Sequence, residues 1–273
     1  MKFEHTSVSN FEGAIRGLRN PMNSWAKSDS YFGIVQKNDR LEEIINNWLK
    51  IISDADKANL EIKLLNNGRL KEAEDSFSWE VAFIGPNDMS LAQRLIKAGP
   101  EHRKFLRQIF VSVDITAPIY WWKEADTYKV ATTANSTSTM HKLTSKPITL
   151  DCFETDDFDS SLVYYKQGMS ENTAGMLSEF FIEQLEMLRQ KYLETEDKRY
   201  WKELVRWLPE SWLQTRTWTA NYETIRAICQ QRRNHKLTEW SSTDSTKKSF
   251  IQWARELPYA QWFIFDDEEI PFT

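Results

Sequence analysis

The chain has 273 residues, 41% of them hydrophobic and 27% charged, enough to bury a sizeable core in a soluble globular protein. Its 35 basic and 40 acidic residues leave a formal charge of -5, which argues against broad nucleic-acid binding by phosphate neutralisation but leaves room for a local basic site. Cys152 and Cys229 have no metal-type or disulfide-framework spacing and are expected as buried free thiols. No apolar run approaches ~18 residues, and the polar opening MKFEHTSVSNFEG is no secretory signal, so a cytoplasmic chain with no membrane segment is expected.

In chain order, MKFEHTSVSN reads as a short strand leading into FEGAIRGLRNPMNSW, where Gly and Asn-Pro end a helix near Arg19. Arg16, Arg19, Asn23 and Ser24 fall together there, either solvated or lining an anionic-ligand site. From Asp39, Leu41, Ile44, Ile45, Trp48, Leu49 and Ile52 recur at helical spacing. FSWEVAF, residues 77–83, alternates as a strand does, and Gly85-Pro86-Asn87 breaks it. A short amphipathic helix is expected from about Ser90 to Gly99-Pro100, and the apolar run 105–119 fits strand or helix. Residues 146–158 read as a surface connection, and 172–192 as the clearest helix, with Met176, Phe180, Ile182, Leu185, Leu188 and Tyr192 among polar residues. Tyr200 to Leu208 continues helical until Pro209. A further helix is expected from about Thr215 to Arg233-Asn234, and FIQWARELPYAQWFIF as a last helix before the acidic DDEEIPFT. No internal repeat is present, and mixed α and β with helices dominating is the expected class.

Polar functionality concentrates between Glu101 and His141. The Ser/Thr-rich loop ATTANSTSTMH, residues 131–141, offers short hydroxyls and backbone N–H groups that either hold phosphate oxygens or make an ordinary capped loop. His102 and His141 bracket the region, each structural or available for binding or proton transfer. Trp121 and Trp122 diverge in either a strand or a helix, so one can be core while the other stacks on a ligand ring. In the C-terminal half Arg216, Asn221, Arg226, Arg232, Arg233 and His235 gather. Asn221 and Arg232 are three helical turns apart on one face, where both could reach one cavity. Arginine's planar fork suits phosphate or pyrimidine carbonyls. Rossmann, P-loop, G-x-S-x-G and H-E-x-x-H patterns are absent, so no dedicated metal site is expected.

Pro100-Glu101-His102 with Phe105, the apolar run, the Ser-rich loop, and a later Leu208-Pro209 to Asn221 and Arg232 segment before a final helix resemble, over about 85–257, the flavin-dependent thymidylate synthases, the ThyX family. The Trp121–Lys129 and Ser138–Lys142 segments are similar to uncharacterised phage and prophage proteins that themselves resemble ThyX, which would put the chain in a host cytoplasm. The resemblance implies an α+β, ThyX-like fold: helices packed with a small, mainly antiparallel sheet. It would form a single domain over 1–273, with a helical insertion at about 39–75 and an acidic tail at 266–273. It also implies methylation of deoxyuridylate to thymidylate, with carbon from methylenetetrahydrofolate, hydride from reduced FAD and electrons from NADPH, at sites between subunits of a homotetramer. By the same resemblance Arg232 is catalytic, polarising the pyrimidine. Asn135, Ser136, Ser138, Asn221 and Arg232 bind the nucleotide, while His102, Trp122, Glu124, Asp126 and His141 meet the cofactor.

The chain departs from the family's R-H-R-x-x-S-x-N-E-x-S-x-R signature. By spacing, that signature falls near Glu124-Ala125-Asp126, where acids replace arginines, and Asn135, Ser136 and Ser138 alone resemble its N-x-x-S part. Two alternatives therefore stay open. One is a ThyX-like fold without flavin chemistry that binds or modifies another nucleotide in phage nucleotide metabolism, DNA modification or counter-defence. The other is a non-catalytic interaction protein.

Overall fold

A computed structural model of the chain describes residues 1–36, 68–72, 78–167, 170–244 and 247–266. The helix expected from Asp39, most of the 39–75 insertion and all but the first residue of the acidic tail lie outside them. In chain order the elements are β1 (Lys2–Ser9), α1 (Phe11–Arg19), β2 (Tyr31–Gln36), β3 (Arg69–Glu72), β4 (Ser78–Phe83), α2 (Pro86–Ala98), β5 (Phe110–Pro118), α3 (Ile119–Ala125), β6 (Thr133–Ser136) and α4 (Thr139–Lys142). There follow β7 (Val163–Gln167), β8 (Ser170–Thr173), α5 (Ala174–Thr195), α6 (Lys198–Trp207), β9 (Leu213–Asn221), α7 (Tyr222–Arg232), α8 (Thr238–Ser241), α9 (Phe250–Arg255) and α10 (Ala260–Phe263). Strands β1, β5, β9 and β6 are neighbours in that order, β2-β4-β3 form a second, antiparallel sheet, and β7-β8 a hairpin. The fold is α+β, as expected.

Two compact units divide the chain: Met1–Lys2, Asp114–Thr127 and Ala134–Thr217 make the first, and Phe3–Val113, Tyr128–Thr133 and Trp218–Thr273 the second. Strand β5 resolves the ambiguity of residues 105–119. After a 3-10 turn at Lys104–Gln108, Val111, Val113, Ile115 and Ala117 are buried at period two, the first three being β-branched residues that suit a pleated surface.

In the second unit, α2 begins four residues before the expected start because Pro86 is its first residue, where the missing N–H costs nothing. Asp29, brought in from another segment, accepts the N–H groups of Asn87 (2.9 Å) and Asp88 (3.2 Å) as the cap. Gly85 is required there, since a Cβ would fall 2.5 Å from the Asp29 carbonyl oxygen. Burial and the nearby Asp88 push the Asp29 carboxyl up. Helix α1 ends at Arg19 as expected, but Arg19 is neither solvated nor a ligand-binding arginine. It is buried and donates its Nε–H to Asp88 at 2.7 Å. Asp88, fully buried, also accepts the Ser28 and Ser30 hydroxyls, both at 2.6 Å, while Arg16 is exposed. A buried pair of this kind costs about 3–5 kcal/mol to break by removing one partner.

The expected helix from Thr215 is instead strand β9 followed by α7. The Thr-rich alternation of TRTWT keeps the chain extended until the Asn221 side chain accepts the Thr224 N–H at 2.9 Å and caps α7. The expected last helix is also two pieces. Pro258 has no N–H to continue α9, and Tyr259 turns left-handed at φ 59°. The buried Tyr259 hydroxyl donates to the Ala82 carbonyl (2.7 Å) and accepts the Ile84 N–H (3.2 Å), completing main-chain bonds at the end of β4.

In the first unit, α5 packs on α6 through Leu185 and Leu204. Residues 146–158, expected as a surface connection, send Ile148 and Phe153 into this core. Glu186 ties them down by accepting the Ile148 N–H (2.8 Å) together with Arg189 Nε–H (2.8 Å) and Nη2–H (2.7 Å), and those bonds from Arg189 are the main reason its carboxyl falls to about 2. Met176, Leu177, Phe180 and Met187 of α5 remain exposed. Among the described residues no helix is long and apolar enough to cross a membrane.

Candidate functional site

Helix α3 leaves β5 at Pro118, and its first N–H groups are taken by the segment before β9: Ile119 donates to Trp212 O and Tyr120 to Glu210 O, both at 3.1 Å. This fixes the paired tryptophans. The expectation that one ring faces a ligand is corrected: Trp121 and Trp122 are each 1% exposed and meet edge to face at 4.8 Å. A seven-residue helix wedged against β9 has no solvent side for either large ring. Trp122 donates its Nε1–H to Gln214 O at 2.9 Å, and the Arg216 guanidinium covers its ring at 4.3 Å.

Arg216 gathers this part of the first unit. Its Nε–H donates to Gln214 Oε1 at 3.0 Å, and Nη1–H to both Asp126 carboxylate oxygens at 2.8 and 3.1 Å. Gln214 in turn donates to Thr137 O at 3.0 Å, and Thr137 N–H to Thr215 O at 2.9 Å, which ties the Ser/Thr segment to β9. That segment is edge strand β6 and the single turn α4, and the Ser138 hydroxyl is used as a cap, accepting the His141 N–H at 3.2 Å. Asn135 and Ser136 are exposed on β6 and His141 is exposed on α4, while Glu124 is half-buried. The negative charge expected at Glu124-Ala125-Asp126 is thus offset at Asp126 by Arg216. Lys123 pairs with Glu210 instead.

In the second unit Arg232 closes α7. It donates its Nε–H to the Tyr128 hydroxyl at 2.8 Å, and its guanidinium carbon lies 5.5 Å from the Tyr128 ring centre and 5.1 Å from that of the buried Trp240. Tyr128 passes its own proton to Gln231 Oε1 at 3.1 Å. A polar cleft of about 390 Å³ lies beside this cluster, lined by Gln230, Gln231, Arg233, Asn234 and His235. The reading that Asn221 and Arg232 reach one cavity is corrected. Eleven residues of helix at 1.5 Å each put them about 16 Å apart along the axis, and the Asn221 side chain is buried in its cap.

His102, 54% exposed, stands 3.8 Å from Glu101. Its neighbour Arg103 makes the structural contact, pairing with Glu223 of α7 at 2.8 Å. Arg226 is buried and donates to the Ile264 carbonyl at 2.9 Å, at the end of α10. Of the two thiols, Cys229 is buried as expected and burial pushes its pKa up to about 12, whereas Cys152 is half-buried. Among the described residues no group of three His, Cys, Asp or Glu side chains could hold a metal ion. Tyr128 and Trp240, which hold Arg232, were not singled out in the sequence for that role. Their contacts with it cross from a distant segment and a separate short helix.

No family model matches the sequence, and no curated protein matches it. Among solved structures, the Helicobacter pylori thymidylate synthase X (ThyX) with FAD and dUMP is similar over 98% of this chain and 98% of that one, with a TM-score of 0.53 at 13% identity. A second Helicobacter pylori ThyX structure, complexed with FAD and dUMP, covers 86% of this chain and 98% of its own at a TM-score of 0.45 and 13% identity. The UMP/dUMP methylase PolB from Streptomyces cacaoi bound with 5-Br UMP covers 64% and 84% at 0.41 and 13%. The first likeness gives the chain a ThyX-like fold, and it extends well beyond residues 85–257.

Proposed function

We propose that this chain binds a pyrimidine nucleotide at Arg232, with the methylation of deoxyuridylate as the reaction its ThyX-like fold would serve. The observation that carries the reading is the support of Arg232 by the Tyr128 hydroxyl and by the Tyr128 and Trp240 rings. A guanidinium held flat in this way loses little freedom on binding, and its fork matches the carbonyl edge of a pyrimidine. Hydrogen bonds to that edge would draw electron density from the ring. Asn135 and Ser136 are exposed on β6, in the first unit, and are given no part in the site at Arg232. Ser138 is engaged as a cap, and Asn221 contributes by fixing the start of α7. Calorimetry with deoxyuridylate tests the reading: saturable binding supports it, and its absence at millimolar concentration ends it.

In the full scheme FAD would supply hydride transfer, with NADPH and methylenetetrahydrofolate as co-substrates. The residues assigned to it, His102, Trp122, Glu124, Asp126 and His141, do not fit FAD as they stand. Two are carboxylates, which would oppose an anionic pyrophosphate, and Trp122 is buried beneath Arg216. The Arg216–Asp126 pair therefore favours a second reading, in which the scaffold binds or modifies a pyrimidine nucleotide without flavin.

The proposal includes a homo-oligomer. Phe158, Tyr164 and Phe180 alone leave roughly 250–400 Å² uncovered at ~150–250 Å² per aromatic side chain. With Leu150, Met176, Leu177 and Met187, also exposed, this face of α5 and its neighbouring groove approaches the ~800 Å² each partner of a standard interface buries. A second copy of the chain is the occupant we assign to it.

A further inference from the structure

We propose that Arg216 is an anion-binding residue, which takes a phosphate or phosphate-ester group in the position that Asp126 fills in this structure. The inference stands on the first unit alone and does not depend on nucleotide binding at Arg232.

The support is an asymmetry around one guanidinium. Its inner contacts are fixed: the face lies on the buried Trp122 ring, and Nε–H is held by Gln214, itself anchored on Thr137 O. Its outer contact is loose by comparison. The Arg216 side chain is 15% exposed, whereas Asp126 is 55% exposed, sits just past the end of α3 and meets Nη1 alone. Nη2 makes no hydrogen bond with any described residue. Arg216 is thus oriented and stacked, with half of its outer fork unused.

A carboxylate held at one nitrogen of a half-exposed pair contributes little, so exchanging it is inexpensive. A tetrahedral phosphate presents oxygens at a spacing that engages Nη1 and Nη2 together, the bidentate arrangement in which arginine binds most strongly. Asp126 then acts as an internal competitor: it neutralises Arg216 while the site is empty and swings into solvent when an anion arrives. No other cation is offered from α3, since Lys123 is directed to Glu210.

The test is a phosphorus NMR titration of inorganic phosphate with the wild type, Asp126→Asn, Arg216→Gln and the double variant, with folding checked by circular dichroism. Asp126→Asn is expected to tighten binding about two- to fivefold by removing the competitor. Arg216→Gln is expected to weaken it about tenfold or more. The gain from Asp126→Asn should vanish in the Arg216→Gln background, because it acts only through Arg216. A gain that persists there, an Arg216→Gln protein that binds like the wild type, or an Asp126→Asn protein that binds no tighter than the wild type overturns the proposal. Asp126→Asn lies at the surface, so the comparison survives even if Arg216→Gln disturbs Trp122. Deoxyuridylate and deoxyuridine, run in parallel, identify the source of the anion. A gain with deoxyuridylate but not with deoxyuridine assigns the site to a nucleotide phosphate, and a gain confined to inorganic phosphate assigns it to the free ion. Loss of deoxyuridylate binding alone would count against the Arg232 reading and leave this one standing.

Discussion

Arg232 and Tyr128, 104 positions apart in sequence, share a hydrogen bond of 2.8 Å from guanidinium to phenol, and the Tyr128 ring also lies beside the same guanidinium. The pair predicts two graded effects on deoxyuridylate affinity. Arg232→Ala should weaken binding roughly ten- to a hundredfold, the loss of a charge-assisted contact of about 1.5–3 kcal/mol. Tyr128→Phe, which keeps the ring and removes the hydroxyl, should weaken it by a smaller factor of about three to ten. Calorimetry on both variants decides, and equal affinities across the three proteins would remove Arg232 from the site.

Flavin binding is expected to be weak. Purified protein should show little absorbance at roughly 350–500 nm, the range in which an oxidised flavin is yellow. FAD titrated into the apo-protein should bind more tightly to Glu124→Arg than to the wild type, because the substitution removes a like-charge contact with the pyrophosphate. Tight wild-type binding that Glu124→Arg leaves unchanged would show that the cofactor uses another pocket.

Stability should fall on acidification through one identifiable group. The Glu186 carboxyl is lowered from 4.5 to about 2, chiefly by its hydrogen bonds from Arg189. A depressed folded-state value means that its contribution is present above pH 4.5 and is lost as pH falls toward 2. Glu186→Gln should cost on the order of 1–2 kcal/mol at neutral pH and flatten the acid limb of the stability profile, measured by urea unfolding at a series of pH values. An unchanged acid limb would mean that other carboxylates carry the dependence.

Self-association should depend on α5. Phe180 is 61% exposed, so Phe180→Glu should leave the isolated fold intact while lowering the mass found by light scattering to that of one chain. A wild-type protein that is already monomeric at micromolar concentration would exclude the face as a contact between copies.

The parts of this fold legible in the sequence are those whose signals are local. Strand β1, the end of α1 at Arg19, β4, α5 and α6 all follow from alternation, helical spacing or a terminating Pro or Asn-Pro. The misreadings occur where one pattern serves two elements. Trp218, Tyr222, Ile225 and Cys229 are spaced as one helical face, yet the first belongs to β9 and the others to α7, and Asn221 between them, a candidate ligand contact by spacing, caps α7. The break at Tyr259 depends on a hydroxyl that docks on β4, which no local window contains. At the candidate site, Arg232 could be singled out by spacing, but its aromatic supports come from residues 128 and 240. The Arg216–Trp122 stack depends on how α3 meets β9.

The Tyr259 hydroxyl has a further consequence for biosynthesis. Its acceptor, the Ala82 carbonyl, leaves the ribosome 177 residues earlier, and Phe83 and Ile84 beside it are fully buried in the finished protein. Until the chain has been made through Tyr259, this end of the β2-β4-β3 sheet has neither its apolar cover nor its last main-chain partners. The second unit therefore closes late during translation, and until then β4 presents apolar surface open to aggregation or chaperone capture.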